Sequence, residues 1–305
     1  MAVRSAGWRS RAGARAGALA VAASTCASCY SGDFLDLACD RQGTCPAGAT
    51  DDTGGSTTAD EPTLDAYRVD SIALADPHFY YTVLGNCVDV SDVFDAALND
   101  EIAAGNLNLA LVFDRADPTA DEVGVTFTEA KCMIGSGKTT CGFQDAQTFI
   151  PVNATNQREA ACDIVEPGTL NPLYASAGPP NVPAPVCFST PRAPIVLPAF
   201  GDLPPIFYQV AQLAASYGTD REPVDGIVQG VLAGYMPAAQ AMNLSVTIAD
   251  MPFQLWNVIA GSGVSCQPDP LNPIDDTDAD PDPGVIERGV WFYFNFTATR
   301  VEWVE

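Results

Sequence analysis

Basic residues are scarce in this chain: 14 lysines and arginines stand against 38 aspartates and glutamates, for a formal net charge of -24 over 305 residues. That balance repels phosphate backbones and anionic lipid headgroups, so it argues against nucleic-acid binding and electrostatic membrane docking and leaves cations and basic partners open. Histidine is scarcer still, with His78 alone. Any Ser-His-Asp triad would have to use it, and no GxSxG turn occurs, since Gly263-Val264-Ser265-Cys266-Gln267 lacks the closing glycine. A lone histidine beside the turn at Asp76-Pro77 reads as structural. Internal repeats are missing, and so is any run of about 18 apolar residues that would span a bilayer as a helix. What is present is a globular composition, 47% apolar and 17% charged, able to bury roughly three quarters of its unfolded surface.

The first 28 residues read as a signal peptide. Arg4, Arg9, Arg11 and Arg15 form a basic start, a short apolar stretch runs from Ala16 to Ala23, and small residues precede Cys26 and Cys29. Either cysteine can serve as a lipidated first residue, and neither has the leucine that bacterial lipoboxes favour three places upstream. Parity favours Cys29, with Cys26 as the alternative. Cys26 then leaves with the signal, and the eight remaining cysteines form an even set suited to an oxidising compartment. An ordinary cleaved signal peptide is the competing reading. Spacing pairs Cys39 with Cys45, Cys132 with Cys141 and Cys162 with Cys187, which leaves Cys87 for Cys266. Zinc is disfavoured, because the only CxxC, Cys26 to Cys29, lies in the export segment.

Residues 29–63 are rich in Gly, Ser, Thr and Asp and read as a flexible acidic tether. From Tyr67 the pattern changes. Tyr67, Val69, Ser71 and Ala73 alternate with their neighbours, and Phe79 to Leu84 is a second β-rich run, so two strands are expected. Ser91 or Asp89 then caps a helix with Phe94, Ala97, Leu98 and Ile102 on one face and Gly105 as its stop. Leu107 to Phe113 alternates as a central strand, Glu122 to Ile134 reads as another, and Gln147 to Val152 as its partner. Prolines from Pro167 to Pro205 predict a long surface loop. Ile206, Phe207, Val210, Leu213, Ala214 and Tyr217 recur at helical spacing and predict a helix ended by Gly218. Gly226, Gly230 and Gly234 mark close backbone approach in a strand, followed by a helical turn from Pro237 to Met242. A short helix over Phe253 to Ile259 and a final strand from Val290 to Val301 complete the expected order.

Two motif resemblances fail on chemistry. Gly135-Ser136-Gly137-Lys138-Thr139-Thr140 looks like the end of a phosphate-binding loop, but Cys132 stands where its first glycine belongs. A disulfide-closed hairpin explains the segment better. Asp52-Thr53-Gly54 matches one aspartic-protease motif, whereas that chemistry needs two carboxylates sharing a proton. Carboxylate pairs for glycoside hydrolysis stay open, because sequence does not give their separation.

The acidic stretch Asp275 to Pro283 is the strongest chemical signal. Counting from Asp276, Asp276, Asp278, Asp280, Asp282 and Glu287 fall at positions 1, 3, 5, 7 and 12, the spacing of an EF-hand calcium loop. Pro281 replaces the glycine that its turn requires, and strand-like sequence follows in place of a helix. Two readings follow: a solvated acidic loop without metal, and as its alternative a looser extracellular Ca2+ loop bracing a sheet edge.

At the C-terminus, Gly284 followed by Gly289-Val290-Trp291-Phe292-Tyr293-Phe294-Asn295-Phe296-Thr297-Ala298 resembles the ending of uncharacterised predicted lipoproteins of myxobacteria and relatives. Tyr67 to His78, Asp225 to Gly230 and the cysteine-rich start are similar in style, so the likeness extends over residues 26–300. It implies a surface lipoprotein and supplies no activity, and the poor lipobox departs from it. The resulting expectation is a single α+β domain over residues 64–305, mainly antiparallel sheet with a few packed helices, stapled by disulfides. Its location would be the bacterial outer membrane, cell surface or periplasm, touching membrane only through a lipid. It would bind an envelope component or a small ligand, the alternative being a secreted hydrolase that uses acidic residues.

Overall fold

The computed structural model describes residues 64–135, 138–144, 152–172, 178–197, 204–248, 251–263, 265–282 and 284–304. The export segment with Cys26 and Cys29, the tether and the Cys39–Cys45 pair lie outside them. In chain order the elements are β1 (Asp65–Asp76), β2 (Tyr80–Val83), β3 (Asn86–Asp89), α1 (Ser91–Ala104), β4 (Leu109–Phe113), β5 (Glu122–Ile134), β6 (Thr139–Phe143), β7 (Val152–Gln157) and β8 (Cys187–Ser189). They continue with β9 (Ala193–Leu197), β10 (Ile206–Tyr217), β11 (Gly226–Pro237), α2 (Ala238–Ala241), β12 (Ser245–Ile248), β13 (Met251–Gln254), a 3-10 turn (Leu255–Asn257), β14 (Asp278–Ala279) and β15 (Arg288–Val304).

Eight of these strands close into a ring. β1 pairs with β4, β4 with β5, β5 with β7, β7 with β8, β8 with β10, β10 with β11, β11 with β15, and β15 returns to β1. Every pairing in the ring is antiparallel and follows chain order, so the architecture is an up-and-down β-barrel. β6 and β9 add to its wall and β14 lies beside the start of β15, with β6 meeting β15 in parallel. This corrects the α+β expectation. Among the described residues the α-helices are one of 14 residues and one of 4, so the protein is all-β with a helical cap.

The predicted helix over Ile206–Tyr217 is the 12-residue strand β10. Its first half alternates, with Ile206 and Tyr208 buried and Phe207 and Gln209 exposed, while Leu213 to Tyr217 are buried without a break. A strand covered on both faces is apolar at every position, and such a run also satisfies a helical template. The proline-rich segment likewise contains β8 and β9. Of the expected helix at Phe253 to Ile259 only the 3-10 turn forms.

The barrel interior is lined mainly by apolar side chains, with the Tyr208 hydroxyl buried among them without a partner among the described residues. Tyr67, Phe113, Phe188, Leu213, Phe292 and Phe294 belong to one buried cluster, and the void beside α1, bounded by Phe94, Leu98, Leu107 and Phe294, has a volume of only about 20 Å³. Eight strands leave room for side chains or one small ligand, and among the described residues large side chains line that space. Two glycines of β11 make room for rings: a Cβ at Gly234 would lie 2.6 Å from Tyr208, and one at Gly230 would meet Phe296. Their four-residue spacing puts both on one strand face.

α1 replaces a strand along the second half of β1, since β4 pairs only with Asp65 to Arg68. Asn99 accepts from the Ile72 N–H at 3.1 Å and donates to its carbonyl, and Asp95 accepts from Leu74 N–H at 2.7 Å. Backbone groups that would otherwise be orphaned are satisfied. No described helix is long and apolar enough to cross a membrane. On β7, Ala154 packs inward while Asn153 and Thr155 are exposed.

Three disulfides fasten segments to this frame: Cys87–Cys266, Cys132–Cys141 and Cys162–Cys187. Cys132 and Cys141 are directly opposed in the β5–β6 hairpin, as the closed-hairpin reading requires.

Candidate functional site

β15 is buried on both faces. Phe292 and Phe294 point into the barrel, while Trp291 and Tyr293 point outward into a second cluster with Ala75, Ile164, Tyr235 and the Cys162–Cys187 bridge. The outer face there lies under the segment after Cys162, and the Tyr293 hydroxyl ties that segment down. It accepts from the Glu166 N–H at 3.0 Å and lies 2.7 Å from the Thr169 hydroxyl.

At this covered patch β1 ends in a carboxylate. Asp76 is 3% exposed, and its Oδ1 has no hydrogen-bond partner among the described residues. It lines a pocket of about 100 Å³ with Ala75, Leu170, Asn171, Pro172, Pro179 and Pro180. Asp276, also 3% exposed, approaches from the acidic stretch, where its Oδ2 accepts from His78 N–H at 3.2 Å and its Oδ1 from Asn171 Nδ2 at 3.2 Å. Asp278 stands beside β15 and accepts from Trp291 N–H at 2.8 Å. Three carboxylates from two distant parts of the chain therefore share one weakly solvated region.

Their ionisation reflects it. Burial, then the charges of Asp276 and Asp278, pushes Asp76 up to about 9. Asp278 is pushed up to about 7 by burial, against the Trp291 N–H that favours its charge, with Asp276 and Asp275 adding to the rise. Asp275 goes the other way: burial opposes its charge, but the Thr277 hydroxyl and N–H and Arg288 hold it below the usual carboxylate range. Arg288 donates to Asp275 at 3.2 Å and to the Thr277 carbonyl at 3.0 Å.

Of the five predicted calcium ligands, Asp276 and Asp278 enter this region. Asp280 instead accepts from Asp282 N–H at 2.8 Å, Asp282 from Gly284 N–H at 2.9 Å, and Glu287 from Ala239 N–H at 3.2 Å in α2. Among the described residues no three His, Cys, Asp or Glu side chains are grouped to hold a metal ion. His78 is held at 2.5 Å from Asp89 Oδ2, while Asp89 Oδ1 accepts from Ser91 N–H at 2.9 Å and Ser91 Oγ from Phe79 N–H at 2.8 Å. These bonds lock the turn after Asp76 and so help to place Asp276.

Sequence reasoning passed over Asp76, treating it as half of a turn. The one signal was an acid closing an otherwise apolar strand end, Ile72-Ala73-Leu74-Ala75-Asp76. The pocket is flanked by two disulfide-anchored segments: Cys162–Cys187 fastens the proline-rich cover, and Cys87–Cys266, bridging 179 positions, fastens the stretch before Asp275. Comparison of the chain with protein-family models, curated proteins and solved structures finds no match, so the site stands on its own chemistry.

Proposed function

We propose that the protein is an exported, lipid-anchored component of a bacterial envelope whose β-barrel presents a binding site and performs no catalysis. The observation that carries this reading is the set of three disulfides, two of which fasten the segments around the acidic pocket. Disulfides persist in oxidising compartments, and a site held by them is organised before its partner arrives. The basic start and the Cys26–Cys29 stretch supply the route, with Cys29 as the acylated residue and Cys26 removed with the signal. The partner is an envelope component or a small ligand. Metabolic labelling with a lipid precursor tests the anchor: label lost in Cys29→Ala and retained in Cys26→Ala supports it, and label unchanged in both variants overturns it.

A second reading, a secreted hydrolase using acidic residues, draws on one observation. Asp76 keeps its proton at neutral pH while Asp275 is ionised, and acid–base hydrolysis uses carboxyl groups in such opposite states. Turnover of a glycoside or ester substrate that is abolished in Asp76→Asn would replace binding by catalysis, and inactivity across a substrate panel would remove the hydrolase.

A further inference from the structure

The pocket at Asp76 contains an acceptor without a donor. Its Oδ1 is buried and has no partner among the described residues, although buried polar atoms nearly always find one. The other carboxylates that act on it, Asp276 and Asp278, are spoken for by His78 N–H, Asn171 and Trp291 N–H. Arg288, the cation nearest in sequence to these acids, is directed to Asp275 and the Thr277 carbonyl. Among the described residues, Asp76 Oδ1 therefore meets neither a hydrogen-bond donor nor a positive charge. Its remaining lining, Ala75, Leu170, Pro172, Pro179 and Pro180, is apolar.

We propose that this pocket binds the ammonium group of a small alkylamine, with Asp76 Oδ1 accepting an N–H bond and the apolar wall covering the alkyl stem. An ammonium carries three donors and one charge on an apolar chain, which matches an acid at the base of an apolar pocket. A divalent cation suits it less well. Calcium takes six to eight oxygens, and the described residues bring no three metal-ligating side chains together. The inference rests on the binding half of the function proposed above and is independent of the lipid anchor.

Two sources offer the group, a free amine and a lysine side chain. The test is calorimetric titration of the disulfide-intact protein with n-butylammonium chloride, with n-butanol, calcium chloride and Nα-acetyl-lysine methylamide as parallel titrants. The expected result is saturable one-to-one binding of butylammonium with release of a proton, no saturable binding of butanol, and affinity about tenfold or more weaker in Asp76→Asn, which removes the carboxyl group that gives up its proton to pair with the ammonium. Asp280→Asn, on the exposed acidic turn, leaves binding unchanged. Leu170→Trp, which fills the pocket from its outer wall, abolishes it without altering a carboxylate, and melting curves verify that both pocket variants fold. Tighter binding of the lysine amide than of butylammonium assigns the site to a protein or peptide partner; the reverse assigns it to a free amine. Equal binding of butanol and butylammonium, undiminished binding in Asp76→Asn, or displacement of butylammonium by stoichiometric calcium would overturn the proposal. A failed titration with intact lipid labelling removes the amine site alone, whereas lost labelling with an intact titration removes the anchor alone.

Discussion

The inside of the barrel and the patch outside Trp291 and Tyr293 are built from alternate residues of the same strand, yet they solve opposite problems. Inward, Phe292, Phe294 and Phe296 meet other apolar groups and leave almost no void. Outward, the same strand backs a region where Asp76, Asp276 and Asp278 are brought out of water. Burying apolar area drives folding, whereas burying a carboxylate opposes it unless a donor or a cation answers the charge. The interior is thus organised for stability, and the outer patch spends part of that stability on charge. In an eight-stranded barrel the lumen is the usual place to look for a ligand; here the described lumen is lined by large side chains, and the carboxylate oxygen without a partner among the described residues lies on the outer wall.

The comparison can be broken from the interior first, where the largest effect is expected. Phe292→Ala removes a ring 2% exposed that touches Phe79, Tyr208 and Phe294, and denaturant titration should report a loss of about 3–5 kcal/mol. Truncating the pocket wall with Leu170→Ala should cost far less, since that side chain is only partly buried. Equal losses at the two sites would erase the distinction.

The disulfides come next. Replacing Cys87 and Cys266 by alanine opens a link across 179 positions, and replacing Cys132 and Cys141 opens one across 9. Cross-linking a longer loop restrains the unfolded chain more, so the first pair should lower stability by about 4 kcal/mol and the second by about 2–3 kcal/mol. Only the first should loosen the outer patch, which amide exchange of the residues after Cys266 would reveal.

The last effect, which grows with pH and is the most diagnostic, belongs to Asp76→Asn. Asp76 is raised from 3.8 to about 9, so the folded protein binds a proton that the unfolded chain releases across that interval. Stability from this group is fully present below about pH 4 and is lost as pH rises through about 9. Thermal melts of the wild-type protein should therefore fall more steeply between about pH 4 and pH 9 than those of Asp76→Asn, with the extra loss complete above about pH 9. Asp278 and Asp95, raised to about 7 and about 6, contribute in the same direction in both proteins. Parallel curves would show that Asp76 is solvated.

Much of the frame can be read in the sequence because its signals are local. β15 announces itself through an unbroken aromatic run, α1 through one apolar face and a glycine stop, and the β5–β6 hairpin through its two cysteines. β10 misleads because a strand covered on both faces loses its alternation. The closure of β1 on β15 leaves no local trace, since its partners, from Ala66 with Val301 to Asp76 with Tyr293, lie near opposite ends of the described sequence. The candidate site is hidden for the same reason. Asp76 becomes chemically unusual only when the stretch around Asp276 arrives from about two hundred positions away, guided by His78 N–H. The acidic spacing is read differently by the fold: regular intervals along the chain bring Asp276 and Asp278 to one region, while Asp280, Asp282 and Glu287 each accept from an N–H elsewhere.

The central claim is that the receptive site lies outside the barrel, and an NMR titration with n-butylammonium tests it most directly. The account predicts saturable shifts of the Ala75, Asp76, Leu170 and Asn171 amides, with Leu107, Leu213 and Phe294 unmoved. Shifts concentrated on those interior residues, with the outer patch silent, would contradict it.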